Sequence, residues 1–116
     1  MATPAPMITF RHTRGDSWSR AGVAGIRTPD GALMDLTGWQ LRSQARQKED
    51  GALVCEFTCT LVDPITQAYT TVQQNTTTWP PVVLLCDVEF RSPSGFVVST
   101  PTFAIDVKED QTRPLD

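Results

Sequence analysis

Apolar and polar residues alternate along several short segments of the chain, most clearly from Leu53 to Asp63. With a period of two, one side of this segment is wholly apolar and carries Leu53, Cys55, Phe57, Cys59 and Leu61. The other side mixes threonine and glutamate with two valines. Turn residues flank the segment, with Asp50-Gly51 before it and Asp63-Pro64 after it. This pattern predicts a half-buried β-strand at the centre of the fold.

A second alternating segment precedes this strand. Its apolar or small positions are Trp39, Leu41, Ser43 and Ala45, and polar residues separate them up to Arg46. The same residues are also good helix formers, and two of them have the helical spacing of four. The short Asp50-Gly51 turn that follows favours a strand, paired with the central strand as a hairpin.

Five further segments have the composition of strands: residues 7–11, 18–27, 68–74, 82–90 and 96–107. The expected inward-facing residues of the last two segments are Leu84, Cys86, Val88, Phe90, Phe103, Ile105 and Val107. Pro101 marks a bulge or an edge in the final segment, since proline cannot donate to a sheet ladder. About seven short antiparallel strands without a convincing helix predict an all-β domain, either a sandwich or a small barrel.

The length of 116 residues suits one domain. We expect an N-terminal arm at residues 1–7, a β-domain at residues 8–108 and a polar tail at residues 109–116. The net charge of −3 without a basic cluster argues against nucleic acid as a partner. No apolar run reaches the roughly 18 residues of a membrane span, and the first ten residues do not resemble a signal peptide. We therefore expect no membrane association.

The three cysteines, Cys55, Cys59 and Cys86, leave at least one thiol unpaired. On one strand Cys55 and Cys59 would lie about 13 Å apart, which is too far for a disulfide. A bridge from either of them to Cys86 on a neighbouring strand is geometrically possible. We expect buried free thiols, which suit assembly in a reducing cytoplasm.

Few residues suggest chemistry. His12 is the only histidine and has no nucleophile motif beside it. Asp87 and Glu89 share one strand face, where they could serve a metal ion or, more simply, form a solvated surface. The tripeptide Arg14-Gly15-Asp16 matches the integrin-binding sequence, but three residues recur often by chance. The sequence predicts no catalytic, metal-binding or cofactor-binding residues, and no enzyme.

Two of the three tryptophans lead to specific expectations. Trp39 heads a core strand, and we expect it to be buried. Trp79 precedes two prolines in a polar loop, where it could be an exposed contact anchor for a protein or a sugar ring, or fold back over the end of the domain. The candidate partner-binding residues are Trp79, Pro80, Pro81, Arg14 and Arg113.

Short motifs recur in a distinctive order along the chain. They are Arg14-Gly15-Asp16, Asp30-Gly31, Asp35-Leu36-Thr37-Gly38-Trp39, Asp87-Val88-Glu89 and Asp110-Gln111-Thr112-Arg113. This order resembles a group of small phage and prophage tail proteins, similar to the N-terminal domain of the baseplate upper protein family. The resemblance covers about residues 8–113, although residues 82–86 depart from the glycine and aromatic residue usual in that family. It implies an immunoglobulin-like β-sandwich that attaches receptor-binding parts to a tail baseplate.

The motif residues also have simple structural explanations. Asp35 and Thr37 can bond their own backbone in a turn, and Gly38 can supply a positive φ before the next strand. Asp16 can form a similar turn, and Arg113 could pair with it. Such roles are those expected of a scaffold.

The function that we expect is that of a virion structural protein, a baseplate or tail-fibre connector that works through protein–protein interfaces. Its expected partners are other tail proteins and copies of itself, and its expected location is the virion, after assembly in the cytoplasm of the bacterial host. The alternative is a carbohydrate-binding or host-adhesion module of the same virion, which would use Trp79.

Overall fold

The architecture of residues 7–110, which a computed structural model describes, is all-β. The eight strands are β1 (Thr9–Thr13), β2 (Trp18–Val23), β3 (Gln40–Gln47), β4 (Leu53–Asp63), β5 (Ala68–Gln73), β6 (Val83–Arg91), β7 (Val97–Ser99) and β8 (Phe103–Lys108). Residues 7–110 contain no helix, and hence none that could span a membrane. The outer parts of the predicted arm and tail, residues 1–6 and 111–116, lie outside the described residues.

The strands form one strongly curled sheet in the order β1-β8-β6-β3-β4-β5-β2, with β7 paired to β6. The long strand β4 pairs with β3 through its first half and with β5 through its second half, so it joins the two sides of the curl. The two ends of the order, β1 and β2, approach each other without pairing. The sheet is therefore nearly closed into a barrel-like shape.

Two expectations about the strands are wrong. First, β1 pairs with β8 in parallel, whereas we expected antiparallel strands throughout. Second, the predicted last strand, residues 96–107, is divided into β7 and β8, which gives eight strands in the described chain. After β7, the Thr100 N–H donates to the Val88 carbonyl, and the Thr100 hydroxyl accepts from the Val88 N–H in place of a backbone carbonyl. The next residue, Pro101, has no N–H to continue the ladder.

The central hairpin is confirmed. Strand β3 pairs antiparallel with β4, so the helical alternative for this segment is wrong. Gly51 has a φ of 72°, and the Asp50 carboxylate accepts a hydrogen bond from the Ala52 N–H at 2.9 Å. Glycine and aspartate at these two positions provide the left-handed backbone and the local bond that a tight turn requires.

Two apolar clusters fill the interior of the curl. The first contains Trp18, Ala45, Phe57, Trp79, Leu84, Cys86, Ile105 and Val107. The second contains Leu36, Val88 and Phe90, with partly buried residues packed around it. The four predicted inward residues of β6 are all buried. The first two belong to the first cluster and the last two to the second, so β6 contributes to both.

The prediction is less accurate for two other positions. Along β4 only Phe57 of the apolar side is fully buried, and Leu53 is 52% exposed where the strand begins. Trp39 lies one residue before β3 and packs against the second cluster while it remains half-buried. Both lie at the end of a strand, where neighbouring strands no longer cover the side chain.

Residues 24–39 cross one end of the sheet without regular strands, and a fully buried glutamine holds them in place. Gln67 has a φ of 64°, and its side-chain amide donates to the carbonyls of Ile26 and Met34, both at 2.7 Å. Its side-chain oxygen accepts from the Ile26 N–H at 2.7 Å. The burial of Gln67 could not be predicted from the sequence, because a glutamine in a polar stretch carries no pattern that signals burial.

Candidate functional site

The unclosed side of the sheet contains an apolar cleft. Strands β1 and β2 are joined by a tight turn, in which the Asp16 N–H donates to the Thr13 carbonyl at 3.1 Å. Beyond the turn the two strands separate, and over most of their length their Cα atoms lie more than 8 Å apart. Paired strands are only about 4.7–4.9 Å apart. The V-shaped space between them has a volume of about 620 Å³.

The side of the cleft formed by β1 is aromatic. Phe10 packs edge-to-face on Phe103 of β8, with ring centroids 5.7 Å apart, and on Trp18 at 6.0 Å. The guanidinium carbon of Arg20 lies 3.8 Å above the centre of the Phe10 ring. A cation at this distance is attracted by the π-electrons of the ring. Arg20 of β2 and Phe10 of β1 therefore make contact across the cleft.

The floor of the cleft depends on a glycine. A side-chain Cβ at Gly22 would lie 2.6 Å from the Tyr69 hydroxyl oxygen, closer than nonbonded atoms approach each other. Tyr69 can therefore lie across β2 only because residue 22 has no side chain. Its ring packs edge-to-face on Phe90 at 5.3 Å, and its partial burial raises the pKa of the phenol. Together with Val88, this ring makes the deep part of the cleft apolar.

Within residues 7–110, no strand pairs with the backbone of either edge strand on the side of the cleft. In an antiparallel pair, alternate residues bond the partner strand, and the others point away. The Ala24 N–H donates to the Gln67 carbonyl at 3.2 Å, which by alternation directs the backbone groups of Ser19, Ala21 and Val23 away from β5. The backbone polar groups of three alternate residues of β2 thus lie along the edge that faces away from β5.

In the parallel pair of β1 and β8, too, alternate residues of β1 bond the partner strand and the others point away. The Ala104 N–H donates to the Ile8 carbonyl at 2.9 Å, and the Arg14 N–H donates to the Lys108 carbonyl at 2.7 Å. Even-numbered residues of β1 therefore bond β8, and the backbone groups of Thr9 and Arg11 point to the free edge. Among the described residues, the cleft therefore has an unpaired backbone edge on each side and an apolar floor.

Trp79 is not an exposed contact anchor. It is only 1% exposed and packs in the aromatic core, with ring centroids 5.1 Å from His12, 6.1 Å from Phe57 and 6.2 Å from Trp18. The expectation that it folds back over the domain is the correct one. Its indole N–H has no oxygen or nitrogen partner in the described chain, and the Cys55 sulfur is the polar group close to it.

The other candidate contact residues are distributed differently. Pro80 is half-buried and Pro81 is exposed. Arg14 lies in the turn after β1 and forms an ion pair with Glu109 at 3.4 Å. Arg113 and its proposed pairing with Asp16 lie outside the described residues. The structure brings the Arg14 turn against the loop before Trp79, but it places this pair of segments away from the cleft lining.

A small hydrogen-bond network joins those two segments. The Thr76 hydroxyl donates to the Asp16 carbonyl at 2.6 Å and accepts from the Gly15 N–H at 2.9 Å. The Nε2–H of His12 donates to the same carbonyl at 2.9 Å, and its ring packs against two tryptophans. His12 is thus a core residue that supports a turn. We expected the Asp16 side chain to bond the backbone of its own turn. Instead, the Asp16 backbone carbonyl accepts the hydrogen bonds from Thr76 and His12 that hold the turn.

The other landmark turn is as expected. The Asp35 carboxylate accepts hydrogen bonds from the Thr37 hydroxyl at 2.6 Å and from the Thr37 N–H at 2.9 Å. These two bonds lower the pKa of Asp35. Gly38 has a φ of 83°. The residues that carry the family resemblance here set the backbone before β3.

The remaining polar candidates are separated from one another. Asp87 and Glu89 lie on the outer face of β6, and Glu89 pairs with Arg91 at 3.6 Å. Within residues 7–110, no three His, Cys, Asp or Glu side chains form a group that could hold a metal ion. Asp87 and Glu89 therefore lie on a solvated strand face, one of the two arrangements that the sequence left open.

All three cysteines are free, as expected. Cys86 is buried, whereas Cys55 and Cys59 are only half-buried. Burial raises the pKa of Cys55 and of Cys59 to about 11, and that of Cys86 to about 12. Because the thiolate is the reactive form, these thiols are poor nucleophiles at neutral pH.

No protein-family model matches this chain, and no curated protein shows significant similarity to it. The assignment of a function therefore depends on the order of the motifs and on the geometry of the cleft.

Proposed function

We propose that the chain is a structural subunit of a phage tail or baseplate, which connects other virion proteins through protein–protein interfaces. The proposal includes the finer fold assignment, an immunoglobulin-like β-sandwich. In support of it, β2, β5 and the second half of β4 lie on one side of the core, and β3, β6 and β8 supply the other side. The strand β4 passes from one side to the other.

The observation that carries the proposal is the open cleft. A protein that functions as a monomer usually covers the edge strands of its sheet, because the unpaired backbone groups of an exposed edge can bind another chain. In the part of the chain that the structure describes, no strand pairs with the edges of β1 and β2 that lie on either side of the apolar floor. This arrangement suits a subunit whose edges and apolar surface are completed by a neighbour.

The exposed surface gives further support. Large apolar side chains are exposed beside the cleft, at Ile8 and Val23, and at turns far along the chain, at Ile65 and Phe96. Single exposed apolar residues are ordinary, but those beside an open apolar cleft extend the surface that a partner could bury.

The carbohydrate-binding alternative loses its basis in the structure. It required an exposed aromatic platform at Trp79, and that ring is enclosed by other aromatic side chains. Because a buried ring cannot stack on a sugar, we do not propose this function.

The proposed function can be tested on virus-like particles from cells that carry the gene. Antibodies raised against the purified protein, coupled to gold, should label one fixed position along the tail in electron micrographs. Particles from a deletion strain are the matched control and should show no label. If intact particles show no label at any position and the protein remains wholly in the particle-free fraction, the proposal is wrong.

A further inference from the structure

We propose that the cleft between β1 and β2 binds an extended segment of a different protein chain, which adds a strand to the open sheet. The segment would carry apolar side chains towards the floor of the cleft and one carboxylate towards Arg20. This inference deepens the proposed function, because it names the kind of partner that the subunit would hold.

The backbone determines the shape of this partner. Ser19, Ala21 and Val23 direct their N–H and carbonyl groups to one side of the cleft, and Thr9 and Arg11 direct theirs to the other. Only another extended backbone presents donors and acceptors at the spacing of such edges. A globular surface or a compact small molecule would leave most of these groups without partners.

The dimensions agree with an added strand. A strand between β1 and β2 requires them to lie roughly 9.5 Å apart, which is twice the usual strand spacing. Their Cα atoms are more than 8 Å apart over most of their length, so they are not already paired with each other. The cleft volume of about 620 Å³ is within the range of about 300–1,000 Å³ that is usual for binding sites.

The side chains determine the chemistry of this partner. The floor offers Tyr69, Val88 and Phe103, so alternate side chains of the added strand should be apolar. Among the described residues that line the cleft, Arg20 is the one with a charge. It forms no ion pair within residues 7–110 and is held at the cleft by Phe10. A carboxylate on the partner would give this guanidinium a bidentate acceptor.

The test begins with a displayed library of ten-residue peptides. Valine or leucine occupies every second position, and threonine, lysine or glutamate occupies the others. Selection on the full-length protein should enrich peptides with a glutamate at a fixed position. The best of them should then be synthesised, and its affinity should be measured by calorimetry. A version with N-methyl groups on alternate backbone nitrogens should bind at least ten-fold more weakly, because it cannot pair with an edge.

Exchange of charge tests the role of Arg20. The Arg20→Glu variant should bind the glutamate peptide at least ten-fold more weakly and should prefer the same peptide with lysine in place of the glutamate. Arg42→Gln is the matched control, because Arg42 is an exposed arginine of β3 that does not line the cleft. It should leave the affinity within about two-fold. Thermal unfolding of each variant checks that the fold is intact.

Amide hydrogen exchange locates the peptide. On binding, the amides of Ala21 and Arg11 should exchange at least ten-fold more slowly, whereas those on the outer face of the hairpin β3–β4 should not change. The inference is overturned if no peptide is enriched, or if the enriched peptides protect other amides. It is also overturned if these edge amides are already protected in the free protein, or become protected simply by raising its concentration. If antibodies label the phage tail but no peptide binds the cleft, only this inference is wrong. If a peptide binds the cleft but no particle is labelled, only the proposed function is wrong.

Discussion

Gly22 shows at the residue scale how one missing side chain shapes the cleft. The Tyr69 ring occupies the space in which a Cβ at residue 22 would lie, and it also packs on Phe90 in the second cluster. A change at Gly22 therefore affects both the floor of the cleft and the core beneath it.

We expect Gly22→Ala to destabilise the protein by about 1–3 kcal/mol, the usual cost of forcing extra atoms into a packed site. Urea unfolding measures this loss. Tyr69→Ala alone should also destabilise, but the double variant should be more stable than the sum of the two losses predicts, because the alanine at residue 22 then has space. Strict additivity would show that the contact is not the cause.

The three thiols predict how stability depends on alkaline pH. Their pKa values in the folded protein, about 11 to about 12, lie above the ordinary value of 9.0 because burial disfavours the thiolate. Unfolded thiols therefore lose their protons first as the pH rises. The contribution of the thiols to stability is fully present below pH 9 and is lost between about pH 9 and pH 12.

The free energy of unfolding, measured with urea from pH 8 to pH 11, should fall above pH 9. In a variant with alanine at Cys55, Cys59 and Cys86, the starting stability should be lower but the fall should be shallower. Tyr69→Phe is the control, because Tyr69 is the only tyrosine and its phenol titrates in the same range. An equal fall with and without the cysteines would contradict the prediction.

At the scale of elements, the turn between β1 and β2 is held in place by a loop from far along the chain. The Thr76 hydroxyl satisfies both the Gly15 N–H and the Asp16 carbonyl, and His12 shares the second acceptor. This attachment fixes the closed end of the cleft, from which the two edge strands separate.

Thr76→Val should therefore cost about 1–3 kcal/mol of stability, because it removes two hydrogen bonds, one from the Gly15 N–H and one to the Asp16 carbonyl, while it preserves the shape of the side chain. Thr76→Ser keeps the hydroxyl and should retain most of the hydrogen-bond energy. Urea unfolding distinguishes the two variants, and hydrogen exchange should show faster opening at Gly15 and Asp16 in the valine variant alone. If valine and serine have equal effects, the hydroxyl is not what holds the turn.

The elements that could be predicted from the sequence are those whose pattern is local. The alternation along β6 identifies its buried face, and the Asp50-Gly51 turn identifies the hairpin. The burial of Trp79 depends on His12 and Trp18, which are distant in sequence, so its proline-rich surroundings left both exposure and burial open. The cleft could not be predicted at all, because it exists only where two strands fail to pair.

At the scale of the whole molecule, the first and last strands of the described chain lie side by side. This pairing brings together residues almost one hundred positions apart, and most contacts between residues also join segments that are distant in sequence. Non-local contacts require large loops to close before any gain in stability appears.

We therefore expect refolding from urea to take milliseconds to seconds, as is usual for all-β domains rich in non-local contacts. Stopped-flow tryptophan fluorescence can follow the process, because Trp18 and Trp79 become buried together. A variant with Ile105→Ala, which weakens β8, should unfold faster. Refolding in microseconds would show that the distant pairing does not limit the rate.

The parallel arrangement of β1 and β8 also determines how the domain transmits force. The chain enters β1 at the end where β8 begins and leaves β8 at the end where β1 finishes, so Ile8 and Lys108 lie at opposite ends of the same pair of strands. Tension applied through these two ends slides the strands past each other and loads all of their hydrogen bonds at once. Strands that are joined at one end open like a zipper instead, one bond at a time. The domain can therefore act as a stiff link under mechanical load.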